Sequence, residues 1–340
     1  MLNNVYIVAS PTQLMSAIEA KATNIGNNFL IINYGQHNRL ENKQQMQKLV
    51  GSSSWDKVYR IHLLSNKYIN HLLILYYALK FKFKFKNRKT KAYIGEYRSF
   101  LFCLLARVIS IEKETLLDDG AVILMLQKKY FSKGVGLRTY YKNNNSYTTF
   151  LIYSYLFSFN FDDSAPDLFS SFNLNKWLSI GQINERIADV PYDVKTLDCF
   201  CFFGAKYSEA GIFSLEVELE LLKFSFAFIR NKYGKPISYM AHRDDSDVKL
   251  EAIRALGVEV KRLASPCEVY FKVHQYAPKF IGGFYTTSII TLPSLFRIDG
   301  VLSFDLSEYI EDEKTRENTR HVYDYLNDNG VNVIKVILST

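Results

Sequence analysis

Residues Glu114–Val122 read ETLLDDGAV, an apolar run that ends in two adjacent carboxylates, Asp118 and Asp119, followed by Gly120. Thr115–Leu117 has the composition of a short buried strand, so the two aspartates stand at its carboxyl end. In an open α/β sheet, ligands bind at that edge because the loops there leave a crevice and the next helix presents its N-terminus. The sequence therefore predicts that the aspartate pair lies in a cleft.

The same strand-and-helix alternation runs through the first part of the chain. Short β-branched or aromatic runs alternate with amphipathic segments, which is the pattern of βαβ units on a parallel sheet. The predicted strands are Val5–Ala9, Phe29–Asn33, Lys57–His62, Lys91–Gly95 and Thr115–Leu117. The predicted helices are Thr12–Thr23, Glu41–Val50, Tyr68–Leu79 and Ser99–Val108. The dipeptide Ser10-Pro11 is a helix-start signal for the first of them.

A second alternating series begins after a looser polar and aromatic stretch. Its predicted strands are Leu197–Phe203, Ile237–Met240, Val258–Leu263, Lys279–Ile281, Gly300–Phe304 and Val331–Ile337. Its predicted helices are Leu215–Tyr233, Asp247–Leu256, Val269–Tyr276 and the stretch after Tyr285. Two such series in tandem predict an α/β protein of GT-B type, with two Rossmann-like domains facing each other across a cleft. The predicted domains are residues 1–165 and 195–340, joined by a linker or lid over residues 166–194.

Composition limits the class of protein. The chain has 340 residues, of which 48% are hydrophobic and 22% charged, as in soluble globular proteins. Its first residues lack a basic n-region and a cleavage site, so we interpret them as a strand rather than a signal peptide. Its longest apolar stretches are shorter than the roughly 18–20 residues that span a bilayer. The scattered cysteines fit core thiols in a reducing compartment. They are Cys103, Cys199, Cys201 and Cys267. We expect a cytoplasmic protein, either free or peripheral at the inner membrane.

The net charge of +8 indicates an anionic partner. Much of this charge lies in the segment Lys80–Lys91, KFKFKFKNRKTK, which alternates cations with aromatic residues. One interpretation is a helix end and solvated edge whose lysines prevent pairing with other chains. Another is docking on an anionic membrane surface. Single-stranded nucleic acid is a third, but no RNP, KH or zinc-finger signature accompanies the segment, and we predict no nucleic-acid partner.

Asp-Asp-Gly by itself has a structural interpretation and a catalytic one. An Asp can cap the following helix, and Gly120 can relax the backbone φ angle. A metal site would need several spaced oxygen ligands, and no second acidic cluster matches this pair, so we predict no metal. A catalytic role needs only one acid, whose pKa a neighbouring carboxylate and a partly dry cleft would raise towards the range of a general base.

Three further motifs follow strands of the second domain. His242 and Arg243 offer hydrogen-bond donors and positive charge to a phosphate leaving group, unless His242 is simply a satisfied loop histidine. Glu268 either stabilises the first turn of a helix or accepts the hydroxyls of a ribose. The third motif is an anion site of hydroxyls and backbone N–H groups at a helix start. Its residues are Gly283, Thr286, Thr287 and Ser288.

These motifs resemble, in order, those of the bacterial sialyltransferases and polysialyltransferases, which share D/E-D/E-G, H-P and S/T-S motifs. The matching stretches are SPTQLMSAIEA (Ser10–Ala20), DDG (Asp118–Gly120), the His of YMAHR (Tyr239–Arg243), SPCE (Ser265–Glu268) and TTS (Thr286–Ser288). They span nearly the whole chain, although each is short. The sequence departs from the family at His242-Arg243, where the family has H-P. Either Arg243 contacts the phosphate itself or His242 is aimed differently.

The resemblance implies an inverting sialyltransferase that moves sialic acid from CMP-sialic acid to a hydroxyl of a bacterial surface glycan, namely lipooligosaccharide, O-antigen or capsule. Asp119 would be the general base and Asp118 its positioning partner, while His242 would assist the departure of CMP. Within residues 195–340 the resemblance assigns Thr287 and Ser288 to the phosphate and Glu268 to the ribose of the donor. From the residues themselves, we expect Arg243, Gly283 and Thr286 to bind the donor as well. Residues 1–165 would bind the acceptor, with Ser10, Gln13 and Gly120 lining the cleft.

The implied partners are a CMP-sugar donor and a glycan or glycolipid acceptor, without a metal or other cofactor, and a homodimer is compatible with the sequence. A related nonulosonic acid such as pseudaminic acid, or another sugar nucleotide, is an alternative donor. The alternative from a different class is a non-catalytic basic protein that binds membrane or nucleic acid through Lys80–Lys91.

Overall fold

The computed structural model of the chain describes residues 2–34, 40–64, 66–110, 114–144, 146–174 and 194–338. The chain divides into two compact units, Met1–Ile187 and Ala188–Thr340. Each unit is built on a six-stranded parallel sheet with flanking helices. The prediction of an α/β protein with two Rossmann-like domains is therefore confirmed.

The first unit has the strand order β3-β2-β1-β4-β5-β6, and all neighbouring strands are parallel. Its strands are β1 (Asn3–Val8), β2 (Asn27–Asn33), β3 (Lys57–Ile61), β4 (Thr90–Ile94), β5 (Thr115–Leu117) and β6 (Asp167–Phe169). Its helices are α1 (Pro11–Thr23), α2 (Leu40–Gly51), α3 (Lys67–Phe85), α4 (Phe100–Ile109), α5 (Val122–Lys129), α6 (Leu137–Asn143) and α7 (Tyr147–Phe157). Every residue of β1 is buried, as expected for the middle of a covered parallel sheet.

Helix α3 extends six residues beyond its predicted end at Leu79. The alternating KFKFKF segment forms the last turns of this helix rather than a strand. Phe81 and Phe85 are four residues apart and therefore lie on the same helix face. Both are buried, with 1% and 3% of their surfaces exposed. Phe83 lies on the other face and is 70% exposed. The interpretation of this segment as a helix end was therefore correct, but only one of its three phenylalanines is exposed.

Strand β6 lies within the predicted linker of residues 166–194. Leu168 and Phe169 are buried and pair with Leu116 and Leu117 of β5, so this short apolar run completes the first sheet. A three-residue strand carries too little alternation to be recognised in the sequence. The rest of the predicted linker, from residue 175 to 193, lies outside the described residues.

The second unit has the strand order β12-β11-β10-β7-β8-β9, again with every neighbouring pair parallel. Its strands are β7 (Lys195–Phe203), β8 (Ile237–Ala241), β9 (Glu259–Arg262), β10 (Tyr276–Gly283), β11 (Gly300–Asp305) and β12 (Asn332–Lys335). Its helices are α8 (Leu215–Tyr233), α9 (Asp247–Ala255), α10 (Cys267–His274), α11 (Ser288–Leu295) and α12 (Glu313–Asp328). The core packs Phe200 and Phe202 of β7 with Leu222 and Phe226 of α8.

The four cysteines are free thiols; Cys103, Cys201 and Cys267 are buried, and Cys199 is half-buried. Among the helices in the described part of the chain, none combines the length and apolarity needed to cross a bilayer.

Candidate active site

In the first sheet, the loops after β1 and β4 diverge at the carboxyl edge. β1 and β4 are neighbours in the middle, while β2 and β3 lie to one side and β5 and β6 to the other. A crevice opens at such a switch point and is the usual ligand site of an open α/β sheet. The side chains there come from three loops. They are Ser10 and Gln13 after β1, Glu96 and Arg98 after β4, and Asp118–Gly120 after β5.

The start of α1 holds Gln13 in place. The Ser10 side chain accepts a hydrogen bond from the Gln13 backbone N–H at 3.2 Å and so caps the helix. The side-chain oxygen of Gln13 accepts the N–H of Ala9 at 2.8 Å. This leaves the amide nitrogen as a donor, and it lies 2.7 Å from Oδ1 of Asp119. Gln13 thus fixes the direction of the Asp119 carboxylate.

Gly95, at the end of β4, makes room for this arrangement. A Cβ at position 95 would lie 2.4 Å from the side-chain oxygen of Gln13, far inside van der Waals contact. A side chain at position 95 would therefore displace Gln13 from this position.

The pKa of Asp119 is raised to about 6, chiefly because the carboxyl is largely buried. The hydrogen bond from Gln13 and the Arg98 guanidinium lower this pKa, while Glu96 and, least of all, Asp118 raise it. Arg98 lies 3.5 Å from Asp119 and 2.6 Å from Glu96. Asp119 is 23% exposed, so it keeps a path to a bound substrate. It can be ionised near neutral pH and yet be more basic than an ordinary carboxylate.

Asp118 has a different environment, since only 3% of it is exposed. Its carboxylate accepts hydrogen bonds from the Ser170 hydroxyl and from the N–H and hydroxyl of Ser171, the last two at 2.7 and 2.8 Å. Its own N–H donates to the Ser16 hydroxyl at 3.3 Å. Asp118 therefore anchors the segment after β6 to the end of β5.

The helix-capping interpretation of the aspartate pair was wrong. Helix α5 begins at Val122, and its cap residue is Ala121, which makes no side-chain capping bond. The two carboxylates accept bonds from Gln13 and from Ser170 and Ser171 instead. Gly120 has a φ of +72°, a conformation that other residues rarely adopt, so its expected role in the turn is confirmed.

In the second unit, His242 directly follows β8. Its Nδ1 accepts the backbone N–H of Asp244 at 3.1 Å, so the neutral ring carries its proton on Nε2. Burial lowers the pKa of His242, although Asp245 and Asp244 oppose this shift. Arg243 beside it is exposed. The loop thus presents an imidazole N–H donor next to a guanidinium.

A buried ionic network holds the His242 loop in place. Asp245 Oδ2 accepts the His242 backbone N–H at 2.8 Å and the Tyr239 hydroxyl at 3.1 Å. Its other oxygen lies 2.9 Å from the ammonium of Lys249, which is fully buried. Lys249 also contacts Glu218 at 2.5 Å and the carbonyl of Ala205 at 2.8 Å. Burial lowers the pKa of Lys249, but Glu218 and Asp245 outweigh it and raise the pKa above its usual value.

Helix α10 carries Glu268 towards the middle of the second sheet. It follows the edge strand β9 but packs against β10 and α11. Oε1 of Glu268 accepts the Thr291 hydroxyl at 2.5 Å, and Cys267 Sγ lies 3.2 Å from the Ser288 hydroxyl. Thr287 is the cap residue of α11 and makes no side-chain capping bond. Glu268 is in the first turn of α10, as predicted, and it also contacts α11.

The structure thus brings the predicted residues into three groups. Ser10, Gln13 and Asp118–Gly120 meet at the first sheet. In the second unit, Gly283 ends β10, and the half-buried Thr286, Thr287 and Ser288 follow it near Glu268. The His242 loop and the β10 loop lie on opposite sides of β7.

Seven residues that contact the predicted site residues, or that contact those contacts, carry no predicted role in the sequence. They are Glu96, Arg98, Ser170, Ser171, Asp245, Lys249 and Thr291. Asp245 could have been found, since it lies three residues after His242 and before a predicted helix. Ser170 and Ser171 carry no such signal, because their partner lies 52 or 53 residues away. Within the described ranges, no group of three or more His, Cys, Asp or Glu side chains could hold a metal ion.

Comparison with solved structures identifies the fold. The chain is similar to an α/β-galactoside α-2,3-sialyltransferase from Photobacterium phosphoreum, with a TM-score of 0.53, 12% identity and 98% of each chain covered. It is also similar to the GT-B domain of a sialyltransferase from Photobacterium damselae, with a TM-score of 0.50, 12% identity, and 98% of this chain and 100% of that one covered. No protein-family model and no curated protein matches the sequence. At this identity the likeness establishes the GT-B fold.

Proposed function

We propose that the chain is an inverting sialyltransferase that uses CMP-sialic acid and a hydroxyl of a bacterial surface glycan. The observation that carries the proposal is Asp119: a largely buried carboxylate, hydrogen-bonded by Gln13 at a switch point, with its pKa raised to about 6. A general base works best when its pKa lies near the working pH. The similarity of the fold to two bacterial sialyltransferases supports the donor assignment.

In the proposed reaction, Asp119 takes the proton of the acceptor hydroxyl. The acceptor oxygen forms a bond to the anomeric carbon of sialic acid while the bond from that carbon to the CMP phosphate oxygen breaks. The bonding electrons leave with the phosphate, and displacement from the opposite face inverts the anomeric configuration. A sialyl donor already has a good leaving group, so the protein must supply a base, an anion-stabilising group and alignment.

His242 is the proposed donor to the departing phosphate. The N–H of Asp244 occupies its Nδ1, so Nε2–H can point to an anion. Burial keeps the ring mainly neutral at neutral pH, which suits hydrogen bonding to a phosphate better than full proton transfer. Arg243, in the position where the resembling family has proline, adds a positive charge at the same loop. In this proposal the exposed Arg243 contacts the phosphate of the bound donor.

The hydroxyls of Thr286, Thr287 and Ser288 at the start of α11 are the other proposed phosphate ligands. A helix N-terminus attracts anions through its dipole and its unpaired N–H groups. Glu268 is held beside α11 by Thr291, and its carboxylate can accept the two ribose hydroxyls. These groups neutralise a single phosphate, so the proposed reaction includes no metal.

Transfer from CMP-sialic acid to a panel of galactosides and sialosides, with CMP release as the measurement, tests the proposal. We expect turnover with the wild-type protein and with D198N, a control at an aspartate that is 69% exposed, and almost none with D119N. Turnover with a UDP-sugar or with CMP-pseudaminic acid, but not with CMP-sialic acid, would contradict the donor assignment. Absence of turnover with every donor would contradict an enzymatic role.

A further inference from the structure

Helix α3 exposes a continuous row of apolar side chains. The spacing of these residues alternates between three and four, which places them on one face of a helix. They are Ile69, Leu72, Tyr76, Leu79 and Phe83, with exposed fractions of 42%, 68%, 54%, 41% and 70%. We call this row the apolar stripe. The opposite face of α3 is buried through Ile74, Ala78, Phe81 and Phe85.

Helix α7 continues the apolar surface. The Tyr153 hydroxyl donates to the carbonyl of His71, and the Lys82 ammonium donates to the carbonyl of Phe157, so α7 lies beside α3. Ile152, Tyr155 and Leu156 on α7 are 61%, 82% and 57% exposed. Eight of the 15 exposed large apolar side chains in the described ranges lie on these two helices. Such a concentration marks an interaction surface rather than scattered exposure.

Positive charge surrounds the apolar stripe. Ten cations and no carboxylate lie between Lys57 and Lys91, and the remaining 32 cations of the chain are outnumbered by its 34 carboxylates. At about 100° per residue, exposed Lys80 and Lys84 lie on one side of the stripe and half-buried Lys82 on the other, and exposed Lys86 directly follows the helix. The segment that contains α3 therefore carries the net positive charge of the protein.

A basic cavity lies where α3 ends. Its volume is about 370 Å³, and its lining includes Lys82, Lys86, Arg88, Lys89 and Ser110. Four cations and no carboxylate line it, so the cavity is suited to an anion such as a phosphate group.

We propose that α3 and α7 dock on an anionic lipid surface, with the apolar stripe in the headgroup–acyl boundary and the flanking cations and basic cavity on lipid phosphates. An amphipathic helix with a cationic border lies in the plane of such an interface. A single-stranded nucleic acid would stack its bases on aromatic rings and leave the aliphatic Ile69, Leu72 and Leu79 exposed. A second copy would bring the same surface to itself across a two-fold axis and place lysine against lysine. The apolar stripe and the cations beside it together fit a bilayer of anionic lipid.

Co-sedimentation of the full chain with vesicles tests the proposal without using the transfer reaction. We expect strong binding to phosphatidylcholine vesicles that contain phosphatidylglycerol and weak binding to phosphatidylcholine alone. The double variant K80Q/K84Q should bind anionic vesicles about thirtyfold more weakly, since each lysine near such a surface contributes about a factor of five. The double variant L72Q/F83Q should lose at least about tenfold through the lost apolar insertion.

Matched controls lie in the second unit. V248Q/V273Q removes two side chains that are 71% and 69% exposed, and K195Q/K314Q removes two exposed lysines. Both controls should bind vesicles like the wild type. Melting temperatures within a few degrees of the wild type would show that each variant is folded. The proposal would be overturned if the control variants lost as much vesicle binding as K80Q/K84Q and L72Q/F83Q. It would also be overturned if the wild type bound both vesicle types equally.

Two further outcomes would identify a different partner for this surface, either a second copy of the chain or free phosphate. If L72Q/F83Q converts a dimer into a monomer in light scattering and the wild type does not bind vesicles, the surface joins two copies and the proposal is wrong. If inorganic phosphate alone raises the melting temperature and R88Q/K89Q abolishes that rise, the cavity binds free phosphate rather than lipid. We expect no such rise with inorganic phosphate, and a loss of anionic-vesicle binding in R88Q/K89Q.

Discussion

The side-chain amide of Gln13 donates a 2.7 Å hydrogen bond to Asp119, a residue 106 positions later in the chain. The bond joins the loops after β1 and β5 across the first sheet. It stabilises the ionised form of Asp119, while burial opposes ionisation more strongly, so the pKa stays near 6. Gln13 therefore orients the proposed base without removing its basicity.

Replacing Asp119 with Asn should lower kcat by about 10²–10⁴, the usual contribution of a general base. Asn keeps the size of the side chain and can still accept a hydrogen bond from Gln13. The affinity for CMP should therefore stay close to that of the wild type. Steady-state kinetics and CMP titration measure the two quantities. Wild-type kcat in D119N would exclude Asp119 as the base.

Replacing Asp118 with Asn should mainly lower stability, by about 1–3 kcal/mol, because three donors of Ser170 and Ser171 lose a charged acceptor. The free energy of unfolding from urea titration measures this loss. S171A should share part of it. The kcat of folded D118N should fall less than that of D119N, and the reverse order would mean that the roles of the two aspartates are exchanged.

Activity should depend on pH through Asp119. Its carboxyl must be ionised to act as a base, so kcat/KM should rise with pH and level off above about 6.

The stability contributed by Asp119 should change with pH in the opposite direction. A folded pKa above the ordinary 3.8 means that the native state holds its proton longer than the unfolded state. The stability contributed by this group is present below about pH 4 and is lost as pH rises through about 6. D119N should thus gain up to about 3 kcal/mol over the wild type at pH 7 and little at pH 4. Urea titrations at both pH values would show the difference, and an unchanged difference between them would contradict the raised pKa.

CMP should raise the melting temperature of the protein with EDTA present, and UDP and GDP should do so much less. A ligand at about a hundred times its Kd stabilises the native state by about 2.7 kcal/mol. S288A and E268A should each lose part of the shift, through the phosphate and the ribose respectively. D119N should keep it. A shift abolished by EDTA, or equally large with UDP, would instead indicate a metal-assisted transferase for another donor.

G95A should reduce activity, because a Cβ there would lie 2.4 Å from the Gln13 side-chain oxygen and would displace it from Asp119. The matched control is G51A, where nothing lies within 4 Å of the added Cβ. We expect at least about a tenfold fall in kcat for G95A, since an orienting group of the base moves, and none for G51A. Equal kcat in the two variants would show that Gln13 has no orienting role.

Much of the fold followed from local pattern. Buried strands such as β1 and β8 are short apolar runs bounded by polar or turn residues, and they can be recognised without knowledge of their partners. Strand β6 could not, because its three residues are defined by pairing with β5. The bounds of helix α7 could not be predicted either: the aromatic-rich stretch that contains it fitted helices or a lid, because apolar residues surround the helix on all sides and leave no helical periodicity.

The candidate site shows the same limit. Asp119 and His242 were recognisable because reactive residue types follow predicted strands. Their environments depend on contacts between distant segments, such as Ser171 with Asp118 and Lys249 with Ala205. From the sequence, a raised pKa of Asp119 was expected partly from the charge of Asp118. In the structure, burial is the main cause of the raised pKa and Asp118 the smallest. Burial is a property of the whole packed unit, so the order of these contributions could not be read from residues 118 and 119.

The buried Lys249 also determines how the second unit can move. Its ammonium joins three segments, through Ala205 after β7, Glu218 on α8 and Asp245 after β8. Lifting the His242 loop away would separate the buried carboxylate of Asp245 from the ammonium of Lys249, at a cost of about 3–5 kcal/mol. The backbone amides of this loop should therefore exchange with deuterated water more slowly than those of exposed loops without such an ion pair. We therefore expect the His242 loop to have the same conformation with and without a bound ligand.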